Sequence, residues 1–268
     1  MLPMIQRTDQ NVGDSLPTGN SQEGLKVYFQ PVGVLKNASV LGHQVLLADD
    51  RDKRFVRPEL IQSRRASIHR KIRLEWRIAT LAYRLGMRTG NSGCLFVNLS
   101  ADLIVRFAAQ HGIFGVYDLL RSEGVVSGTM VVNLCGYADL STVSALIKVR
   151  NALREQGVRW AMAVPEDGRP AMLAWEKFKP DFVWLGERNI KGIDSTAHKR
   201  ITMNAIRRIS TELNIQLIAC GISTPAEAVV LRDMGIDFGQ GRLFGLPLSK
   251  PVAELLPAAV DSLNGKLL

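Results

Sequence analysis

Cysteine is scarce. The 268 residues hold three, Cys94, Cys135 and Cys220, an odd number at wide spacing. A disulfide framework is excluded, and because each lies in an apolar run, reduced and buried thiols are expected. Histidine is almost as rare, with His43, His69, His111 and His198. There is no C-x-x-C or H-x-x-x-H spacing to hold a transition metal and no G-x-S-x-G nucleophile elbow. Cys135, Cys220 and His43 are the one combination that could converge on a soft metal; satisfied core cysteines are the expectation. Aromatic residues make up 6%, too few for a stacking platform along single-stranded nucleic acid. No apolar run approaches the roughly 18 residues of a membrane helix, so no membrane insertion is expected. The opening MLPMIQRTDQNVGDSLPTGN has no apolar h-region, which argues against a secretory signal and for a cytoplasmic protein.

What is present is the composition of an ordinary globular chain, 46% hydrophobic and 22% charged. Residues 1–24 read as a flexible polar tail. Residues 25–268 read as a single domain, long enough to bury a core without disulfides or metals. The formal net charge is +9, and most of the excess lies between Arg51 and Arg77, which hold ten lysines and arginines against three acids. Arg64, Arg65, Arg70, Lys71, Arg73 and Arg77 stand in or beside a helical pattern, and spacings of three and seven gather charge on one face. The readings, in order, are a solvated face, a docking surface for an acidic protein partner, and a nucleic-acid contact.

Short apolar runs alternate with longer amphipathic ones. Strands are expected at Val27–Val32, Val40–Ala48, Leu95–Leu99, Met130–Cys135, Trp160–Val164, Phe182–Leu185, Gln216–Cys220 and Asp237–Gly239. They are mostly unbroken, as strands buried on both faces are. Thr224-Pro225-Ala226-Glu227 is an N-cap, an N1 proline and a capping-box acid. Ser100 and Ser141 are expected N-caps, and Gly157 and Gly235 expected left-handed helix ends. Strand, helix, glycine, strand, repeated about eight times, predicts an α/β fold with a mostly parallel sheet, a closed (β/α)8 TIM-type barrel whose chemistry sits at the C-terminal strand ends.

Five segments, in order, resemble the bacterial EAL domain. Tyr28-Phe29-Gln30-Pro31-Val32 looks like its opening strand, and Leu41-Gly42-His43-Gln44-Val45-Leu46-Leu47 lies over its Val-Gly-Ala-Glu-Ala-Leu-Leu signature. Phe96-Val97-Asn98-Leu99-Ser100 matches Val-Asn-Leu-Ser. Ile218-Ala219-Cys220-Gly221-Ile222-Ser223-Thr224 resembles Ile-Ala-Glu-Gly-Val-Glu-Thr. Gln240 to Leu248 resembles the closing Gln-Gly-Tyr-Leu-Phe-Gly-x-Pro-Leu. The resemblance spans Val27 to Leu248.

Active members of that family hydrolyse cyclic di-GMP with two divalent cations, which require carboxylate oxygens. The resemblance implies that those ligands are missing here. The signature glutamate is Gln44. The family's Glu-Ile-Thr-Glu is Asn133-Leu134-Cys135-Gly136, and its Asp-Asp is Ala163-Val164. The catalytic lysine is Trp184, and the two glutamates of Glu-Gly-Val-Glu are Cys220 and Ser223. Only Asn98 and Gln240 stand unchanged. Trp184, Ala163, Val164 and Cys220 are expected to lie close together as an apolar plug. Gln30, Pro31, Asn98, Gln240, Phe244 and Pro247 match the family's nucleotide groove, with Phe244 expected on a guanine face. The phosphate-gripping arginine is Ala48, and Arg242 is the expected partial replacement. These residues imply a non-catalytic regulatory module that binds another protein, without cofactor or metal. The alternatives are a non-hydrolysing cyclic di-GMP receptor and, last, a residual phosphodiesterase.

Overall fold

The computed structural model describes residues 25–49, 55–56, 68–90, 93–122, 128–136, 140–164 and 172–266. The chain order is β1 (Leu25–Val34), β2 (Val40–Asp49), β3 (Phe55–Val56), α1 (Ile68–Arg88), β4 (Cys94–Ser100), α2 (Ala101–Ser122), β5 (Met130–Cys135), α3 (Leu140–Glu155), β6 (Arg159–Ala163), α4 (Met172–Phe178), β7 (Phe182–Leu185), α5 (Glu187–Ile190), α6 (Ala197–Glu212), β8 (Gln216–Cys220), α7 (Pro225–Asp233), β9 (Phe238–Gln240) and α8 (Pro257–Leu263). All eight expected strands are present within two residues at their ends. The two-residue β3, paired on β2, is too short to leave a periodic signal.

The sheet closes on itself. From β2 the ring runs through β4, β5, β6, β7, β8 and β9 with parallel pairings, then through β1 back to β2. β1 runs antiparallel to both neighbours. A tight turn, with Ala38 at φ 56°, replaces the first crossover helix. The closed eight-stranded barrel is therefore as the sequence predicts, with one reversed strand that composition does not announce.

Two apolar clusters follow from the alternation of side chains along each strand. The larger lies outside the ring, under the helices. The smaller fills the lumen with Val32, Cys94, Phe96, Val131, Ala161, Phe182, Trp184, Ile218 and Phe238. Edge-to-face contacts pack it: Phe96 lies 5.3 Å from Phe182 and 5.1 Å from Trp184 between ring centroids. Arg159 enters at the N-terminal end, over the Phe182 ring, and donates to Cys94 Sγ and the Gly128 carbonyl.

The helix ends follow local chemistry. Thr224 and Glu227 form the capping box with Pro225 at N1. Gly157 and Gly235 take φ of +80° and +75°, and the N–H groups of Val158 and Ile236 close back on Leu153 and Leu231. Of the two expected serine caps, Ser100 stands directly before α2 as expected. Ser141 lies one residue inside α3. Ser100 ends β4, and its N–H and Oγ–H donate to the buried carboxylate of Glu75 on α1, a long-range acceptor that local spacing does not reveal.

Candidate functional site at the barrel mouth

The C-terminal strand ends carry amides. On β9 Gln240 Nε2 donates to Gln44 Oε1 on β2 at 3.0 Å, reaching past β1. On adjacent strands Asn133 Nδ2 donates to Asn98 Oδ1 at 2.7 Å. Gln30, opposite Gln44 in the register, donates Nε2 to the Gly245 carbonyl at 3.2 Å. These four amides and Gln30 lie on the lumen face, because each is an even number of residues from a lumen-filling neighbour: Asn98 from Phe96, Asn133 from Val131, Gln30 from Val32.

Trp184 stands beside them, 4% exposed and next to Ala163 in the register. Ala163 and Cys220 pack against the same lumen cluster. Burial pushes the Cys220 thiol up, so it stays protonated. Val164 is a correction to the expected plug. Its N–H donates to the Trp184 carbonyl, but its side chain packs on the outer cluster, because one residue of advance along a strand reverses the face.

Ser223 is not in the lumen set. Its N–H and Oγ–H both donate to Glu227 Oε2. Glu227 also accepts from Thr224 N and, on Oε1, from Gly192 N beyond α5. Burial alone raises the proton affinity of this carboxyl, but the donors from Gly192, Ser223 and Thr224 outweigh it and hold it below the usual carboxylate range. The Gly192 bond joins residues 35 apart in sequence, and no spacing rule points to it.

The residues expected along a groove separate into three groups. Gln30, Asn98 and Gln240 converge at the mouth. Pro31 is buried and packs on Gly245, while Arg242 is exposed and Pro247 half-buried. Phe244 is a correction: it has no exposed surface and sits beneath Gly33 and Gly239, where an added Cβ would meet its ring. It has no free face for a guanine, because the tight turn at Gly241 carries it inward. His43 is also buried, on the outer face, where Nε2 accepts from Val252 N; it does not converge with Cys135 and Cys220. Arg64 and Arg65 lie outside the described residues, as do the side chains of Arg70, Lys71, Arg73 and Arg77, whose backbones lie in α1.

The family's own model matches residues 14–247. The chain belongs to the EAL domain family. Among curated proteins, the blue light- and temperature-regulated antirepressor BluF of Escherichia coli K12 is 24% identical over 125 residues, which is 47% of this chain and 31% of BluF. The chain thus spans under a third of that relative. Among solved structures, Klebsiella pneumoniae BlrP1 in complex with calcium and cyclic di-GMP superposes with a TM-score of 0.71 at 19% identity, over 86% of this chain and 57% of BlrP1. A standalone EAL protein of Vibrio cholerae O395 in a c-di-GMP-bound form gives 0.72 at 15% identity, over 90% and 99%. At these identities the structural likeness establishes the fold.

The EAL fold implies a divalent pair, and the described residues at this mouth do not fit one. Hard cations take several anionic oxygens, whereas Gln44, Asn98, Asn133, Ala163, Trp184, Cys220 and Gln240 supply neutral amides, an indole, a methyl and a protonated thiol. The nearby buried carboxylates, Glu75 and Glu227, accept hydrogen bonds elsewhere. Among the described residues no three His, Cys, Asp or Glu cluster as metal ligands.

Proposed function

We propose that this EAL domain is non-catalytic and acts as a regulatory, protein-binding module in cyclic di-GMP-type signalling. The observation that carries the reading is the pair of amide–amide bonds, Gln240 to Gln44 and Asn133 to Asn98, at strand ends where carboxylates would be needed. Clustered carboxylates repel one another unless a cation neutralises them. Amides bond to each other and need none. Trp184, packed edge-to-face on Phe96, fills the position that the family resemblance assigns to lysine. BluF, a relative of low identity, is by its name an antirepressor, which supports a role exerted through another protein.

Among the described residues no helix is long and apolar enough to cross a membrane, and we place the module in the cytoplasm. The basic stretch Arg51–Arg77 is the proposed contact for an acidic partner protein, with Arg64, Arg65, Arg70, Lys71, Arg73 and Arg77 as its charges. Reversing Arg70, Arg73 and Arg77 to Glu should then abolish recovery of a partner from the native host, and raising salt from about 50 to about 300 mM should weaken it as the Debye length shortens. Equal recovery by both proteins at all salt concentrations contradicts this surface.

A second reading, a non-hydrolysing receptor, is favoured by one observation: Gln30, Asn98 and Gln240 keep family identities and still converge. Calorimetric titration with cyclic di-GMP, with and without Mg²⁺, separates the two. Saturable, metal-independent heat supports the receptor.

A further inference from the structure

We propose that the notch between Asn133 and Trp184 at the barrel mouth binds an uncharged planar amide, the group that a lactam or the edge of a nucleobase presents. Such a site presupposes the non-catalytic reading, since a divalent pair would claim the same strand ends.

Two polar atoms stand open there. Asn133 is 5% exposed and Trp184 4%. Asn133 spends its Nδ2 on Asn98 Oδ1, while its own Oδ1 is buried without a hydrogen-bond partner in the protein. The Trp184 Nε1–H is buried without an acceptor. Trp160 and Trp175 also keep an unpaired indole N–H, but both lie in the outer cluster under the helices. Asn133 Oδ1 is the one side-chain oxygen so placed among the described residues. Native proteins seldom leave buried polar groups open. Here a stranded acceptor and a stranded donor share one lumen.

The register sets them around one gap. Asn133 pairs with Ala161, Ala161 with Phe182, and Ala163 with Trp184. Asn133 on β5 and Trp184 on β7 therefore flank β6, two strand spacings or about 10 Å apart. On the lumen face β6 offers only the methyls of Ala161 and Ala163. A low strand between two taller side chains makes a notch. Phe96 holds the Trp184 ring edge-to-face from β4. Ala163 and Cys220 are only half-buried, so the notch opens at the mouth.

The surroundings select the ligand. Gln44, Asn98, Gln240 and Cys220, which face the lumen at this level, supply two more amide pairings and a thiol, and no charge. An anion or cation entering would shed water and gain no counter-charge. A neutral amide satisfies both open atoms at once: its N–H donates to Asn133 Oδ1 and its carbonyl accepts from Trp184 Nε1. The flat group also lies against two methyls and an aromatic wall.

The test uses the full chain labelled with ¹⁵N. Four tryptophans give four indole N–H signals, and Trp184→Phe identifies the one from Trp184. Uracil is the probe, with neither metal nor cyclic di-GMP present. Titration is expected to shift the Trp184 signal saturably, with a midpoint of about 1 mM, and to leave those of Trp160 and Trp175 in place. Inorganic phosphate and acetate should leave all four in place. Ala163→Leu keeps both polar groups but fills the notch, and should weaken binding by about tenfold or more; Asn133→Leu, which removes the acceptor, should do the same. Ala163→Leu decides the matter if Asn133→Leu does not fold. A mouth that holds water alone gives no saturable shift at about 20 mM uracil, and that result overturns the proposal. So does a shift matched by phosphate or acetate, or full affinity in Ala163→Leu. Failure here leaves the non-catalytic reading standing, whereas metal-dependent turnover of cyclic di-GMP sinks that reading whatever uracil does.

Discussion

Gln240 on β9 and Gln44 on β2 share a hydrogen bond of 3.0 Å, formed over the reversed strand β1 that lies between them. The bond joins residues 196 apart in sequence and closes the one region of the ring where parallel pairing is interrupted. Removing one amide leaves the other half-satisfied in a partly enclosed site. Gln44→Leu should therefore lower unfolding free energy by about 1–2 kcal/mol. Gln44→Glu, which can still accept from Gln240, should lower it less. Urea unfolding of the three proteins gives the order; equal loss in both variants contradicts the pairing.

Trp184 is the second place where the mouth responds to a single change. It is almost fully buried against Phe96. Trp184→Lys sets an ammonium among aromatic rings and should cost about 3 kcal/mol or more. Trp184→Phe should cost less, because it keeps an aromatic face in the lumen. Thermal melts separate them, and a Lys variant that melts with the wild type contradicts the packed lumen.

The barrel and its eight strand segments were legible in the sequence because strands buried on both faces read as unbroken apolar runs, while the reversal of β1 was not. The capping box at Thr224 and the glycine ends at Gly157 and Gly235 were legible because their chemistry is local. The family resemblance located the substituted positions, but what fills them was less visible. Gln44 meeting Gln240, and Asn98 meeting Asn133, are register facts that no spacing encodes. Val164 fell on the outer face because it follows Ala163 directly, and one residue of advance reverses the face. Phe244 resembled a groove residue because its motif is intact, yet the turn after Gln240 buries it.

Glu227 should give the protein an acid-sensitive link between the β8–α7 turn and the segment after α5. A carboxyl whose proton affinity is lowered by folding adds stability above its unfolded value, near 4.5, and loses it as pH falls through the lower folded value. The stability difference between wild type and Glu227→Gln should thus be largest near pH 6–7 and shrink below pH 4.5. A difference that is constant from pH 7 to pH 3 contradicts the four-donor carboxylate.

Gly42 makes the closest backbone approach along β2. An added Cβ would lie 2.0 Å from the Cys94 carbonyl oxygen, so Gly42→Ala must spread the β2–β4 seam. We expect a loss of about 3 kcal/mol or more, or failure to accumulate as folded protein, since neither contact is a flexible side chain. Gly136→Ala, where nothing lies within 4 Å of the new methyl, should cost less despite its φ of +68°. Equal stability of Gly42→Ala and wild type contradicts the register of that seam.

The most direct test of a non-catalytic mouth is turnover. Purified protein at high concentration, incubated with cyclic di-GMP and either Mg²⁺ or Mn²⁺, should yield no linear dinucleotide above a no-protein control by chromatography. Metal-dependent formation of that product, retained through successive purification steps and lost in Trp184→Ala or Gln240→Ala, would contradict it.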